Sequence, residues 1–330
     1  MLIWPLNWPQ KERRQSVAEN NIFQQSFEDF QKSDPVDGGG FHVERMNQCI
    51  DEAHQLPPLV PLYPNIVLEG DLCIIFGQSG IGKTIFAMQI ARHIAENGKR
   101  LLYVDCEMTP RQLGNRYGTA NFPPTFLRAE MDREHPAEDV LKGIEEVAVA
   151  NHVQVVFIDN ITALGQSLDR SADAGTLMAS LNSLKKQYNW TLVVLNHVPK
   201  MYSGYQPLSL SAMQGSAKIN QLIDDAIGIA QSCIDSNLVY VEQCKWRNGE
   251  LTMGADNVAV YERCKDEYGN LCFISRGSGT EQEHLSIENG NEREEIKARV
   301  KELSAKGMTQ TAIAEQLGIS QSKVSRLLKE

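Results

Sequence analysis

The chain predicts an α/β fold, a mainly parallel sheet with helices on both faces, followed by a small all-α helix-turn-helix unit. Three observations carry this. Between Asn65 and about Ile274, short apolar runs alternate with helical patterns of about 10–15 residues, the rhythm of a parallel sheet. One strand–helix junction holds Gly77 to Thr84, GQSGIGKT, which fits G-x-x-x-x-G-K-[ST] at every fixed position. From Met308 to Leu328, MTQTAIAEQLGISQSKVSRLL has the spacing of two short helices joined by a tight turn.

Composition narrows the class. At 330 residues there is room for one large and one small domain, and 42% apolar residues is ordinary for a globular chain. No apolar run approaches the ~18 residues that span a bilayer, and the start, MLIWPLNWPQKERR, does not read as a secretory signal. Seven cysteines without a C-x-x-C pair, several inside apolar runs, suit reduced thiols. The expectation is a cytoplasmic protein with no membrane partner. A net charge of −10 argues against a generally basic nucleic-acid coat protein. Residues 291–330, with 8 Lys/Arg against 6 Asp/Glu, are slightly basic, so any contact with DNA must come from local patches.

In chain order, residues 1–60 read as a loosely organised, partly disordered arm. Its Phe23, Phe27 and Phe30 recur at helical spacing and suit either packing on their own domain or docking on a neighbouring subunit. A domain at 61–275 follows. Ile66 to Leu68 and Leu72 to Phe76 flank a Glu69-Gly70-Asp71 turn, and a helix from Ile85 to Asn97 stops at Gly98. Next come a strand at Leu101 to Asp105, a helix at Ala137 to Ala150, a strand at Val153 to Ile158, a helix at Ser171 to Tyr188 and a strand at Thr191 to Leu195. After Leu222 the pattern becomes near-continuous strands: Ile227 to Ala230, Leu238 to Cys244, Val258 to Arg263 and Leu271 to Ile274. Polar residues 276–291 read as a linker, and 292–330 as the helical unit.

The Gly77–Thr84 turn is built to wrap phosphates. Gly77, Gln78, Ser79, Gly80, Ile81 and Gly82 supply a loop whose N–H groups turn inward, Lys83 reaches the β/γ-phosphates and the Thr84 hydroxyl takes a place on Mg²⁺. ATP with Mg²⁺ is the expected cofactor pair. Asp159 closes the apolar run VQVVFID and is the expected second metal-site residue. Glu107 follows LLYVDC at the same sheet edge; taken alone it reads as a solvated loop acid, and beside Asp159 as a carboxylate that polarises the attacking water. Asn160 follows Asp159, so the base must come from elsewhere. Asn196-His197 ends the strand TLVVL and suits hydrogen bonding to a γ-phosphate. Beyond it, Lys200, Tyr202 and Tyr205 suit single-stranded nucleic acid by charge and stacking, or an ordinary surface loop. Lys245 and Arg247, in KWRNG after LVYVEQC, point either to a second subunit's nucleotide or to a solvated hairpin tip.

The set GQSGIGKT, LYVDCEMT, VVFIDN, LNH and KWRNG resembles the RecA-like ring ATPases, and looks closest to the RepA branch of hexameric helicases, similar to DnaB helicases. The resemblance covers about residues 60–275. It implies a RecA-like P-loop NTPase core in a homo-oligomeric ring, expected as a hexamer. It also implies a catalytic base at Glu107, a γ-phosphate sensor at His197 and a Lys-x-Arg pair, Lys245 and Arg247, reaching across the subunit interface. The loop after His197 matches the family's DNA-binding loop in position only.

In the tail, Thr309 caps a helix from Gln310 to Leu317, Gly318 permits the turn and Ser320 caps a second helix from Gln321. That helix offers Gln321, Ser322, Lys323, Ser325 and Arg326, residue types that read base edges and phosphates; the other reading is a three-helix protein-interaction module. Duplex DNA through this unit and single-stranded DNA through the ring are the expected partners. The combined expectation is a DNA-dependent ATPase, a RepA-like replicative helicase of a plasmid, phage or mobile element. The alternative is a DNA-bound regulatory or recombination ATPase that does not unwind.

Overall fold

The computed structural model describes residues 33–130, 137–161, 171–198, 207–213, 216–285 and 290–317, with Val324, Leu327 and Leu328. The chain divides into two compact units, Met1–Pro58 and Leu59–Glu330. In the first, the described part holds one helix, α1 (Met46–Gln55), with no buried residue. The stripe at Phe23, Phe27 and Phe30 lies outside the described residues.

The second unit is built on a nine-stranded sheet. A small hairpin, β1 (Pro61–Tyr63) and β2 (Val67–Leu68), precedes it. Then follow β3 (Leu72–Gly77), α2 (Lys83–Glu96), β4 (Leu101–Asp105), α3 (Pro110–Tyr117), β5 (Phe126–Glu130) and α4 (Ala137–Ala150). They are succeeded by β6 (Val155–Asp159), α5 (Ser171–Tyr188), β7 (Thr191–His197) and α6 (Ser216–Leu222). Four further strands complete the sheet: β8 (Asp225–Gln231), β9 (Leu238–Lys245), β10 (Val258–Lys265) and β11 (Leu271–Gly279). The order across the sheet is β11-β10-β9-β8-β3-β7-β6-β4-β5. Strands β8 through β5 in that order are parallel, and β9, β10 and β11 extend the edge antiparallel.

The central strands are apolar on both faces because both faces are covered. Phe86, Ile90 and Ile94 of α2 pack on Cys73, Ile75, Tyr103, Phe157 and Val193. On the other side Ile144 of α4, Met178 and Leu181 of α5 and Ile219 of α6 pack on Ile74, Phe76, Val156 and Val194. Helix α2 stops as the sequence predicts, with Gly98 at φ 86° and the Lys99 N–H returning to the Ile94 carbonyl. Besides α1, β1 and α6, two elements near one edge of the sheet escaped the sequence pattern. Helix α3 has no buried residue and so no apolar stripe, although its capping box between Thr109 and Gln112, with Pro110 behind it, is a start signal. Strand β5 sits at the sheet edge with a half-exposed pattern.

The expected linker at 276–291 needs correction. Strand β11 runs on to Gly279, and a one-turn helix, α7 (Glu281–His284), packs against the sheet. Its Glu281 and His284 are buried because each has partners: Tyr240 Oη and the Leu208 N–H donate to Glu281, and Ser232 Oγ lies 2.8 Å from His284 Nδ1. A polar stretch was read as solvated, whereas half of it completes the sheet edge. Residues 286–289 are not among those described.

The tail has its own core. Helices α8 (Gly290–Ala305) and α9 (Gln310–Leu317) bury Val300, Leu303, Ile313 and Ala314 together with Val324 and Leu327. Thr309 Oγ1 accepts the Ala312 N–H, the expected cap. Among the described residues no helix is long and apolar enough to cross a membrane.

Candidate functional site

Strand β3 delivers the phosphate loop to the C-terminal edge of the sheet, between β7 and β8. Gly77 pairs with His197 on one side and Ile229 on the other, and a Cβ at Gly77 would meet the Ile229 carbonyl oxygen at 2.4 Å. Glycine is therefore required at the first motif position by strand packing. At Gly80 and Gly82 it is required by backbone, with φ 81° and 107°, the left-handed region that turns successive N–H groups inward. Gly82 also has Phe273 against it, since a Cβ there would lie 2.8 Å from the ring.

Lys83 opens α2 and is buried at 6% exposure. Its Nζ donates to the carbonyls of Gly77 (3.0 Å) and Gln78 (2.9 Å) and to His197 Nδ1 (3.1 Å). Burial lowers the ammonium to about 8, opposed by the nearby carboxylates of Asp159 and Glu107. Asp159, ending β6, is buried; the Tyr103 hydroxyl donates to its Oδ2 at 2.8 Å and the Thr84 side chain hydrogen-bonds it too. Burial pushes the Asp159 carboxyl up to about 6, with the two hydroxyls pulling the other way.

Glu107 stands half exposed on the loop after β4. Asp105 sets that loop, its Oδ1 accepting the N–H groups of Glu107 (3.1 Å) and Met108 (2.8 Å), while Arg128 anchors its Oδ2 at 2.9 Å. His197 Nε2 lies 3.6 Å from Glu107 Oε1. The Asn160 side-chain amide rests against both, donating to Glu107 Oε1 and lying 2.9 Å from His197 Nε2. His197 first, then the cations of Lys83 and Arg116, hold the Glu107 carboxyl below its ordinary range against the opposing effect of burial. It is ionised at neutral pH and free to accept a proton.

These groups border one cavity of about 340 Å³, large enough for a nucleotide's phosphates. Four sequence-singled residues, Lys83, Asp159, Glu107 and His197, come from four separate segments and meet there. Gln112 and Arg116 on α3 also line the cavity and were not foreseen; the Thr109–Gln112 cap was the available signal. Arg263 of β10 was missed as well: its Nη1 donates to the Gly80 carbonyl at 3.2 Å, a contact across the chain that no local pattern announces.

Lys245 and Arg247 lie elsewhere. Lys245 pairs with Ala226 at the start of β8, and Asp225 pairs with Cys73 at the start of β3, so KWRNG sits at the N-terminal edge of the sheet, away from the phosphate loop. Lys245 Nζ donates to the carbonyls of Asn220 (2.6 Å) and Ile223 (2.7 Å) at the end of α6. Arg247 pairs with Asp224 at 3.0 Å while its side chain stays half exposed, and the Arg247 N–H is held by Asp225 Oδ1 at 3.1 Å. Lys200, Tyr202, Tyr205, Gln321, Ser322, Lys323, Ser325 and Arg326 lie outside the described residues.

The donor set fits ATP with Mg²⁺: a buried ammonium, inward-turned loop amides, and a hydroxyl hydrogen-bonded to a buried carboxylate. Comparison with known proteins agrees. A family described as an AAA domain matches residues 43–202, and one described as a homeodomain-like domain matches 291–330. The chain is 28% identical over 136 residues to the DNA repair protein RadA of Campylobacter jejuni, covering 41% of this chain and 30% of that protein. RadA of Bacillus subtilis is 25% identical over 150 residues, 44% of this chain and 32% of that one. The DNA repair and recombination protein RadB of Methanosphaera stadtmanae is 26% identical over 147 residues, 39% and 60% respectively. The chain thus spans about a third of the length of the RadA proteins it matches. A KaiC-like protein from Pyrococcus horikoshii OT3 superposes with a TM-score of 0.49 at 16% identity, over 65% of this chain and 96% of that one. The fold is a mainly parallel α/β P-loop NTPase core followed by a small helical unit that a homeodomain-like family matches, and the residues around the phosphate loop fit ATP and Mg²⁺ as cofactors.

Proposed function

We propose that the protein is a DNA-dependent ATPase acting as a homo-oligomeric ring, a RepA-like hexameric helicase of a plasmid, phage or mobile element. The observation that carries the hydrolytic part is the meeting of Lys83, Asp159, Glu107 and His197 around one cavity. ATP with Mg²⁺ supplies the reactive phosphoryl group and the divalent charge that offsets its oxygens. Thr84 and Asp159 would hold the metal, and Lys83 would hold the β/γ-phosphate oxygens. Glu107, ionised and aimed by Asp105, takes the proton of the attacking water. His197 bridges Lys83 and Glu107, so a change at the phosphate is felt at β7 and in the segment that follows it.

Arg247 stands at the sheet end that its own phosphates do not reach, which supports a role at a neighbouring subunit's site. Lys245, tied to two carbonyls, holds that strand end in place. The helix-turn-helix unit takes duplex DNA through Gln321, Ser322, Lys323, Ser325 and Arg326, and the segment with Lys200, Tyr202 and Tyr205 takes single strands inside the ring.

A second reading has a specific observation in its favour. The relatives are named for DNA repair and recombination, which suits an ATPase that remodels DNA without unwinding it. Two measurements on the full chain separate the readings: ATP turnover against added single-stranded DNA, and strand displacement on a forked duplex. Stimulated turnover with displacement supports the helicase, and stimulation without displacement supports the repair-type ATPase. Turnover indifferent to DNA rejects both.

A further inference from the structure

The hairpin of β10 and β11 leans on the phosphate loop at two adjacent points. Arg263 donates to the Gly80 carbonyl, and Phe273 fills the space beside Gly82. Arg263 and Phe273 are themselves cross-strand partners. Gln89 of α2 fixes Phe273 by bonding both its N–H and its carbonyl, at 2.9 and 3.0 Å. The hairpin tip is held as firmly. Asp266 closes the turn by accepting the N–H groups of Tyr268 (3.0 Å) and Asn270 (2.8 Å). The Thr119 hydroxyl then ties the tip to the end of α3, lying 2.9 Å from the Tyr268 carbonyl and from Asn270 Oδ1. The hairpin therefore touches the phosphate loop, and its tip is tied to the end of the helix that carries Gln112 and Arg116.

The next cross-strand pair after Arg263–Phe273 is Cys264–Cys272. The two thiols are free, partly exposed, and face each other with sulfurs 3.6 Å apart. Directly opposed residues of an antiparallel pair have Cα atoms about 4.5–5.5 Å apart, inside the range a disulfide needs. None of the other five cysteines has a thiol partner among the described residues.

We infer that Cys264 and Cys272 form a reversible dithiol–disulfide site through which a low-molecular-weight disulfide oxidant weakens nucleotide binding. The thiolate of one cysteine attacks the oxidant R–S–S–R, forming a mixed disulfide and releasing one RS⁻. The second cysteine, deprotonated, attacks the protein-side sulfur and releases the other RS⁻. Two protein thiols are oxidised by two electrons, the oxidant is reduced to two thiols, and the two protons pass to them. Burial and the neighbouring Cys264 raise the Cys272 thiol to about 11, so the pair is slow to react at neutral pH and responds to sustained oxidation.

Closing the bond draws the sulfurs from 3.6 Å to about 2.05 Å. The adjacent pair has no slack to absorb that contraction, because Phe273 already rests on Gly82 and Arg263 already holds Gly80. The movement reaches the phosphate loop directly.

The test incubates the full chain with oxidised glutathione, maps disulfides by peptide mass, and measures affinity for a fluorescent ATP analogue with Mg²⁺. The expected result is a Cys264–Cys272 bond with affinity weakened by about threefold or more, the equivalent of one modest hydrogen bond. A thiol reductant restores the affinity, and Cys264→Ser or Cys272→Ser, each binding nucleotide like the parent when reduced, makes it indifferent to the oxidant. Mapping on the parent protein stands even if a variant folds poorly. Absence of the bond, pairing with another cysteine, or a bond with unchanged affinity overturns the inference.

Discussion

Where β3 stops, Lys83, Asp159, Glu107 and His197 border an open cavity; where β3 begins, Asp71, Asp224 and Asp225 meet Lys185, Lys245 and Arg247. The ingredients are alike, buried carboxylates beside cations, yet they are spent differently. At the first end Lys83 bonds carbonyls and an imidazole, and burial lifts the Asp159 carboxyl to about 6 against the pull of the two hydroxyls that bond it. At the second, burial pushes Asp224 up, but Lys185, the Leu72 N–H and Arg247 together hold it below its ordinary range. Charges closed on one another within the chain build architecture, whereas charges held apart around a cavity remain able to act on something that enters it. Buried charge alone therefore does not mark a site. What marks it is charge that still faces open space: Lys83 and Glu107 at the cavity, and the exposed half of Arg247 at the other end.

The contrast breaks most visibly at Glu107. Glu107→Gln keeps the size and the Asp105-held loop but removes the basic oxygen. ATP turnover should fall by about 10²–10⁴, the usual worth of a general base, while nucleotide binding persists. Full turnover in the purified variant would remove Glu107 as the base and leave the phosphate end without one.

At the other end the expected damage is to stability. Asp224→Asn strips the charge shared by Lys185 and Arg247, and breaking a buried pair of this kind costs about 3 kcal/mol. Denaturant unfolding should show that loss, and the isolated phosphate site should still bind nucleotide. Unchanged stability would mean that the cluster is not the architectural element described.

A smaller effect is a pH slope. Asp71 and Asp225 face each other at the N-terminal edge of the sheet, each with an oxygen lacking any other partner among the described residues. Burial and then the Asp71 charge raise Asp225 to about 8, and burial raises Asp71 too, so the pair retains a proton. A carboxyl raised on folding contributes stability that is fully present below its unfolded value and is lost as pH rises through the folded one. Unfolding free energy should therefore decline between about pH 4 and 8, with a slope of up to about 1.4 kcal/mol per pH unit for one proton. Asp225→Asn should flatten that slope. An unaltered slope in the variant would assign the titration to other groups.

Much of the phosphate end was legible because each strand there closes an apolar run on a polar residue. Phe76-Gly77, Ile158-Asp159 and Leu195-Asn196-His197 announce both the strand and its active end. Arg116, Gln112 and Arg263 were not legible. The first two ride a helix with no buried face, and the third acts from a hairpin late in the chain on a loop near its beginning. The second end was half legible. KWRNG suits a second subunit's nucleotide from its sequence, but Asp224 and Asp225 read as the start of an ordinary strand, and only the fold shows them holding Arg247. Residues 276–284 misled for a related reason: Glu281 and His284 look solvated in sequence and are buried because Tyr240, Leu208 and Ser232 supply their hydrogen bonds.

The proposed function makes the two sheet ends halves of one hydrolytic site, joined between subunits. It is tested by mixing two inactive proteins, Lys83→Ala and Arg247→Ala. An arginine supplied by a neighbour is worth about 10³–10⁵ in rate, so each variant alone should be nearly silent. Mixed subunits should recover a readily measured fraction of ATP turnover, because the intact phosphate end of an Arg247→Ala subunit can meet the intact Arg247 of a Lys83→Ala subunit. No recovery on mixing, with both variants folded and assembled, or full turnover by an isolated monomer, contradicts the shared site.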